Sequence, residues 1–548
     1  MSDQPSVRPP NTDLRDGEPP RNAPHVRELT RRRVLGFGAA LVPAAAAATD
    51  AAAVTGRRRP AGTGRQLTSA VPLPAPYTVP LPIPPVLARA GLSVGADRYE
   101  ITQRQVTAEI LPGVPTTLWT YNGTYPGPTL ESRRGRPVTV LHRNELPVPT
   151  TVHLHGGRTP AGSDGYPTDL VLPDGWTEPD GAHTMHDPRA VTSRVTRAYT
   201  YPLDQRATLL WYHDHRMDYT APAIWRGLTG MHLVRDAVED ALDIPRGDRE
   251  LALTIADRAF AADGELAYPA LDPELRERPG VTEPYAAGVL GDVIVVNGAP
   301  WPVHEVEAVR HRLRLLNASN ARHYRLEAVT DDGRRLGLVQ IGADQGLLAA
   351  PVIHTSLPVA PSERYDVVID FGGLPAGSRV RLRNRLGRGR TREVMAFRVA
   401  RAAPDDTRVP AVLSEDLPTW RRSQATAVRE FTFRAGRTGQ GHGWFIGGKP
   451  FDPARTDVRT RLGAVEVWRF RADVHHPVHL HQTGFKVLSR DGGAPLPHDA
   501  GLKDTVSLRP GETAEVITRF DGHRGRFLFH CHNAEHEDMG MMANLEIE

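Results

Sequence analysis

Cysteine is nearly absent from this chain: Cys531 is the only one in 548 residues. That excludes an internal disulfide and leaves one free thiol. Lysine is almost as scarce, with Lys449, Lys486 and Lys503 the only examples, so arginine carries nearly all the positive charge. We read that bias as compositional and not as a functional patch. The formal net charge is only +3, which gives no basis for binding nucleic acid or an anionic membrane. Beyond the N-terminal leader no apolar run approaches the roughly 20 residues that cross a bilayer, so stable membrane insertion is not expected. Glycine (50) and proline (49) are abundant, which suits many short strands joined by turns and not long helices. The length accommodates about three domains of ordinary size.

The chemistry is concentrated in histidine. The run His530-Cys531-His532 is followed by His536 and Met541, and three earlier clusters hold His153 and His155, His213 and His215, and His476, His479 and His481. Thiolate, imidazole and thioether together are the donors of a blue-copper site, in which two His and one Cys bind the metal and a weak axial Met tunes it. A lone cysteine is more often a small buried hydrophobe, but four tight histidine clusters beside it call for metal. Strand geometry accounts for the spacings. Alternate side chains of a strand share a face, so each His-x-His pair projects two imidazoles to one side, roughly 6–7 Å apart. In His530-Cys531-His532 the same alternation sends the thiolate to one face and both histidines to the other. His476 is offset from His479 and His481, so it belongs with Cys531 while the other two face the remaining histidines.

These four motifs, in this order, resemble the multicopper oxidases, most closely the bacterial three-domain laccases of the spore-coat type and their bilirubin oxidase and phenoxazinone synthase relatives. Tyr121-Asn122-Gly123 with Pro126-Gly127-Pro128, His155-Gly156-Gly157 with Ser163-Asp164-Gly165, and Leu316-Asn317-Ala318-Ser319-Asn320 extend the likeness from about residue 75 to the end. The resemblance implies four copper ions. His476, Cys531, His536 and Met541 would hold the type 1 copper, and His153 and His479 the type 2 copper. His155, His213, His215, His481, His530 and His532 would hold the type 3 pair. It implies an oxidase that takes single electrons from a small aromatic reductant, phenolic or aminophenolic, at the type 1 copper and reduces dioxygen to water at the trinuclear cluster. Asp164 and Glu537 match acidic positions that would relay protons there. A bilirubin oxidase, a phenoxazinone synthase or a metal-ion oxidase of the same family are alternatives, as is a copper-free exported scaffold. The complete ligand set argues against the scaffold, and eight methionines without a Met-rich insert argue against a dedicated cuprous oxidase.

The implied fold is all-β: three cupredoxin-like Greek-key β-sandwich domains, over residues 75–240, 245–402 and 429–548, with a Pro- and Arg-rich linker at 403–428. The middle block has no metal motif and reads as a spacer. Residues 1–53 form a leader in which Thr30-Arg31-Arg32-Arg33-Val34-Leu35 precedes a short apolar stretch, resembling a twin-arginine signal. An exported, soluble monomer is expected. His183 and His186 lie in a Pro- and Gly-rich loop, match no family ligand and read as ordinary loop residues, and His475 breaks the spacing that fixes His476. Trp211, Trp225 and Trp468 read as core or rim aromatics. Replacing Met541 with Leu should raise the reduction potential of the blue site while copper stays bound; a lowered potential in a redox titration would contradict the assignment.

Overall fold

The computed structural model describes residues 64–93, 95–179, 186–438 and 441–548. The expected leader, together with His183 and Met185, lies outside the described residues; His186 is exposed. The described chain opens as an extended strap. Pro72, Pro74, Pro76, Pro80, Pro82, Pro84 and Pro85 withhold N–H donors and forbid helix, so the strap docks through the residues between them. Arg65–Gln66 pairs in parallel with Val289–Leu290, Leu81 N donates to Val303 O, and Leu87 N donates to Thr129 O.

The strands then form three successive pairs of sheets, as cupredoxin-like sandwiches should. In the first, a five-stranded sheet built around Ala96–Leu111 and Val138–Asn144 faces a four-stranded one in the order Gly127–Arg133, Thr229–Arg235, Thr208–Asp214, Val152–His155. Val138–Asn144 alternates buried and more exposed residues over most of its length, as a half-buried strand must. The middle pair has seven and six strands, and its centre is the continuous apolar run Val293–Val296 packed near Leu253, Leu315 and Val367. The third pair has two five-stranded sheets, and its core includes Trp468, Phe529, Cys531 and Met541. Between Glu393–Arg401 and Ala427–Thr438 the chain forms no strand, only a short 3-10 turn at Arg422–Gln424.

Two features of this architecture position the site. Val152–His155 is the edge strand of its sheet, and it lies antiparallel to Thr208–Asp214 with His153 opposite His213. In the third pair, His476–Leu480 lies antiparallel to Gly525–Cys531, with His479 opposite His530 and Val478 opposite Cys531. Register therefore places His479 on the His530 face and leaves His476 on the Cys531 face. Among the described residues no helix is long and apolar enough to cross a membrane.

The first and middle pairs are joined by buried charge. Arg314 donates to Glu250 (2.7 Å) and Glu239 (2.9 Å), Arg312 forks onto Asp366 and reaches Glu239 at 3.2 Å, and Arg235 bridges Glu239 and Glu250. Burial alone would raise the Glu250 carboxyl, but Arg314, Arg312 and Arg235 outweigh it and hold it near 2. Arginine is suited to this because its planar fork satisfies two carboxylate oxygens at once. The bias toward arginine is thus partly structural, which composition alone did not reveal. Removing one member strands its partners in a dry interior, so Arg312→Ala should destabilise the fold by about 3–5 kcal/mol, read from denaturant unfolding; a change within about 0.5 kcal/mol, as at an ordinary surface site, would contradict this.

Candidate metal centre

Three donors converge in the third pair of sheets. His476 Nδ1 lies 3.4 Å from Cys531 Sγ, His536 Nδ1 lies 3.6 Å from the same sulfur, and the two Nδ1 atoms are 3.2 Å apart. The opposite nitrogen of each ring is occupied: His476 Nε2 meets Asp473 Oδ1 at 2.9 Å and His536 Nε2 meets the Ala287 carbonyl at 3.2 Å. With Nε2 of His536 donating to the Ala287 carbonyl, as Asn533 Nδ2 does beside it at 3.1 Å, Nδ1 is left with its lone pair; a carboxylate imposes the same on His476. His536 stands on the short helix Ala534–Asp538, whose N-cap Asn533 accepts from His536 N. Met541 is buried in the same core cluster as Cys531, and its carbonyl accepts from Cys531 N at 3.1 Å. Trp444 covers the set, stacked on His536 with ring centroids 3.6 Å apart.

The other eight histidines meet between the first and third pairs of sheets. His153 stacks on His481 at 3.9 Å and His155 on His479 at 3.6 Å. His215 and His530 are 5.1 Å apart, and His532 lies 5.0 Å from His155 and 5.4 Å from His213. Ligand atoms of His153, His479 and His481, of His153, His155 and His213, and of His215, His481 and His530 fall within 4.8 Å of one another. His475 joins neither set; its ring is 5.2 Å from His323. An open groove of about 810 Å³ lined by Ile83, Arg246, Arg249 and His311 shares no residue with either set, so volume does not locate the chemistry here.

Two family models described as multicopper oxidase match residues 102–179 and 419–548. The chain is 35% identical to a laccase of Bacillus stratosphericus, over 85% of this chain and 98% of that protein. It is 34% identical to a bilirubin oxidase of Albifimbria verrucaria, over 85% and 80%. The crystal structure of a laccase from Pediococcus acidilactici superposes with a TM-score of 0.75 at 29% identity, over 89% of this chain and 96% of that one. The chain belongs to the multicopper oxidases. It is a laccase-like oxidoreductase, and such an oxidase uses four coppers, one type 1, one type 2 and a type 3 pair.

The residues of this multicopper oxidase fit that complement. Buried His153 Nε2, His155 Nδ1, His213 Nε2, His215 Nε2, His479 Nε2 and His532 Nε2 have no hydrogen-bond partner. Each such orphan would cost about 1–3 kcal/mol if left unpaired. His481 Nε2 and His530 Nε2 face each other at 3.1 Å, while their Nδ1 atoms meet Asp164 Oδ2 and the Cys531 carbonyl. Two lone pairs aimed at one point repel unless a cation takes both. The rings are also held neutral, as metal ligation requires: burial lowers His213 to about 3 and His215 to about 4, with neighbouring histidines adding to it.

Both predicted acids are fully buried beside the histidines. Asp164 sits at 2.8 Å from His481 Nδ1, its carbonyl meets His153 Nδ1 at 2.6 Å, and burial pushes its carboxyl up to about 8. Glu537 Oε2 lies 3.1 Å from His530 Nδ1 and Oε1 lies 3.5 Å from His215 Nδ1. Burial alone would raise Glu537, but His530 and His215 outweigh it and hold it well below the usual carboxylate range. Environment thus sets the two acids apart, one protonated and one ionised near neutral pH.

Several residues at the site carry no local signal in the sequence. Trp444 is one. Trp211, read as a core aromatic, is buried and also stacks on His213 at 4.2 Å. Asp504 meets His155 Nε2 at 3.1 Å and its carbonyl meets His479 Nδ1 at 2.9 Å. Its spacing from those rings would suit a ligand, but Arg364 holds both carboxylate oxygens, which leaves Asp504 as an acceptor. Arg364, Gln345 and Ala287 come from the middle block of the chain, which is therefore more than the spacer expected.

Glu537→Gln removes the anion from between His215 and His530 without changing shape. The expected outcome is unchanged blue absorption with dioxygen reduction slowed about 100-fold or more, followed by oxygen consumption across pH; wild-type turnover at every pH would contradict it.

Proposed function

We propose that this laccase-like oxidase takes its electrons from phenols and aminophenols, and that it works outside the cytoplasm after export by the twin-arginine route. The observation that carries the reading of the site is the single strand Gly525–Cys531 continuing into His532, which gives its thiol to one donor set and its flanking histidines to the other. In this reading His476, Cys531, His536 and Met541 hold the type 1 copper. His153 and His479 hold the type 2 copper, and His155, His213, His215, His481, His530 and His532 hold the type 3 pair. Copper there supplies reversible one-electron change and a place for dioxygen to be reduced to water.

The chain's own residues do the rest. Asp473 and the Ala287 carbonyl fix the His476 and His536 rings, so both Nδ1 atoms stay aimed at Cys531. Trp444, 3% exposed, keeps water from the His536 face. Asp164 accepts from His481 Nδ1 at Oδ2 and holds its own proton on Oδ1, and Glu537 accepts one between His215 and His530; together they deliver protons to reduced oxygen. Covalent continuity from Cys531 to His530 and His532 gives a short path between the sets. The laccase and bilirubin oxidase among the relatives support an aromatic reductant, and the absence of a Met-rich insert disfavours cuprous ion. Thr30-Arg31-Arg32-Arg33 before a short apolar run supports export.

The test is copper content and absorption of the copper-loaded protein, followed by oxygen uptake with a panel of phenols, aminophenols, bilirubin and cuprous ion. About four coppers per chain, an intense visible thiolate band, a near-ultraviolet band, and oxidation of phenols with dioxygen reduced to water are expected. One copper with the visible band alone would point to an electron carrier, and efficient turnover of cuprous ion alone would overturn the substrate class.

A further inference from the structure

The middle pair of sheets supplies no histidine to the eight-ring set, yet it touches that set through one buried salt bridge. In the rings of His153, His213, His479, His481 and His530, Nδ1 meets an oxygen acceptor, at 2.6, 2.8, 2.9, 2.8 and 3.1 Å. Their Nε2 atoms are thereby left to the interior. His155 is turned the other way. Its Nε2 meets Asp504 Oδ1 at 3.1 Å, and its Nδ1 is buried without a partner. The acceptor responsible, Asp504, is gripped from the middle pair of sheets. Arg364 Nη1 donates to Oδ1 at 2.6 Å and Nη2 to Oδ2 at 2.5 Å, and Gln345 Nε2 donates to Oδ2 at 2.6 Å.

Arg364 is itself held at every nitrogen. Nε donates to Leu209 O at 3.1 Å, Nη1 to Ser362 O at 3.2 Å and Nη2 to Asp344 O at 3.0 Å. The fork has no freedom to follow a rotating carboxylate. Space beside His155 is reserved for it: a Cβ on Gly156, which has φ +83°, would come within 2.4 Å of Arg364 Nη2 and 2.8 Å of Asp504 Oδ2. Thr505 Oγ1, 3.4 Å from His155 Nε2, is also 3.0 Å from Ser362 Oγ, so the same strand entry of the middle pair backs both acceptors.

We infer that Arg364, acting through Asp504, is a positioning residue that fixes the reversed orientation of His155 and so presents Nδ1, not Nε2, to the metal. The inference rests on His155 being a copper ligand, as proposed above. A bidentate guanidinium–carboxylate pair fixes direction as well as charge, and partners of this kind orient metal-ligating histidines. Lysine would keep the charge and lose the fork.

The experiment compares wild type, Arg364→Gln, Arg364→Lys and Asp504→Asn, each loaded with copper and dialysed against a weak chelator. Copper per chain, the visible and near-ultraviolet bands, and the thermal midpoint are recorded. The variants are expected to keep the visible band and its copper, to lose the near-ultraviolet band, and to hold the remaining copper about 10- to 100-fold more weakly. Arg364→Lys is expected to behave like Arg364→Gln. Four retained coppers with both bands in Arg364→Gln and Asp504→Asn would overturn the inference, as would parallel loss of both bands with a lowered midpoint in both variants, which would make the pair merely structural. Wild type that takes up no copper would overturn the functional reading itself and the inference with it.

Discussion

A dry volume filled with imidazole rings tolerates almost no positive charge. Burial lowers the imidazoles of His153, His155, His213, His215, His479, His481 and His532, with neighbouring histidines adding to it, so these rings stay neutral. A neutral imidazole has one N–H to place and one lone pair to direct, and the structure solves both for nearly every ring at once. Backbone carbonyls of Asp164, Asp214, Asp504 and Cys531, and the carboxylates of Asp164 and Asp504, take the N–H groups. The lone pairs are left over, and they converge. Sheet register, the turn after His155 and the placement of the two acids all follow from that demand.

Much of the site was legible in the sequence because a strand's period of two is a local property. The separation of Cys531 from His530 and His532, and of His476 from His479 and His481, needs no knowledge of tertiary structure beyond an extended backbone. Residues that act across the fold were not legible in this way. Asp504 reaches His155 over a sequence separation of 349, and Lys503-Asp504-Thr505 has no ligand-like spacing. Arg364 lies at the mouth of an ordinary buried strand, and Trp444 sits in a strand of a different sheet from Cys531.

Arginine shows how composition can mislead. Arg258, Arg312, Arg314 and Arg364 are among the largest fully buried side chains, and each donates to carbonyls or carboxylates. Buried ion pairs rarely add net stability over apolar packing. Their value lies in direction: a planar fork between two sheets permits one relative placement and penalises the rest. The first and middle sandwiches are locked in this way through Glu239, Glu250 and Asp366, and the middle and third through Asp504.

The two donor sets also differ in how many sandwiches must stay together to keep them closed. His153, His155, His213 and His215 come from the first sandwich and His479, His481, His530 and His532 from the third, whereas His476, Cys531, His536 and Met541 all belong to the third. A breathing motion that parts two neighbouring sandwiches opens the eight-ring set and leaves the Cys531 set intact. Metal residence therefore has two clocks, one set by separation at an interface and one by opening of a single sandwich, and sub-global opening is the cheaper of the two. Through either event the peptide bonds beside Cys531 keep it joined to His530 and His532, so parting of the interface opens the eight-ring set while the Cys531 set stays closed.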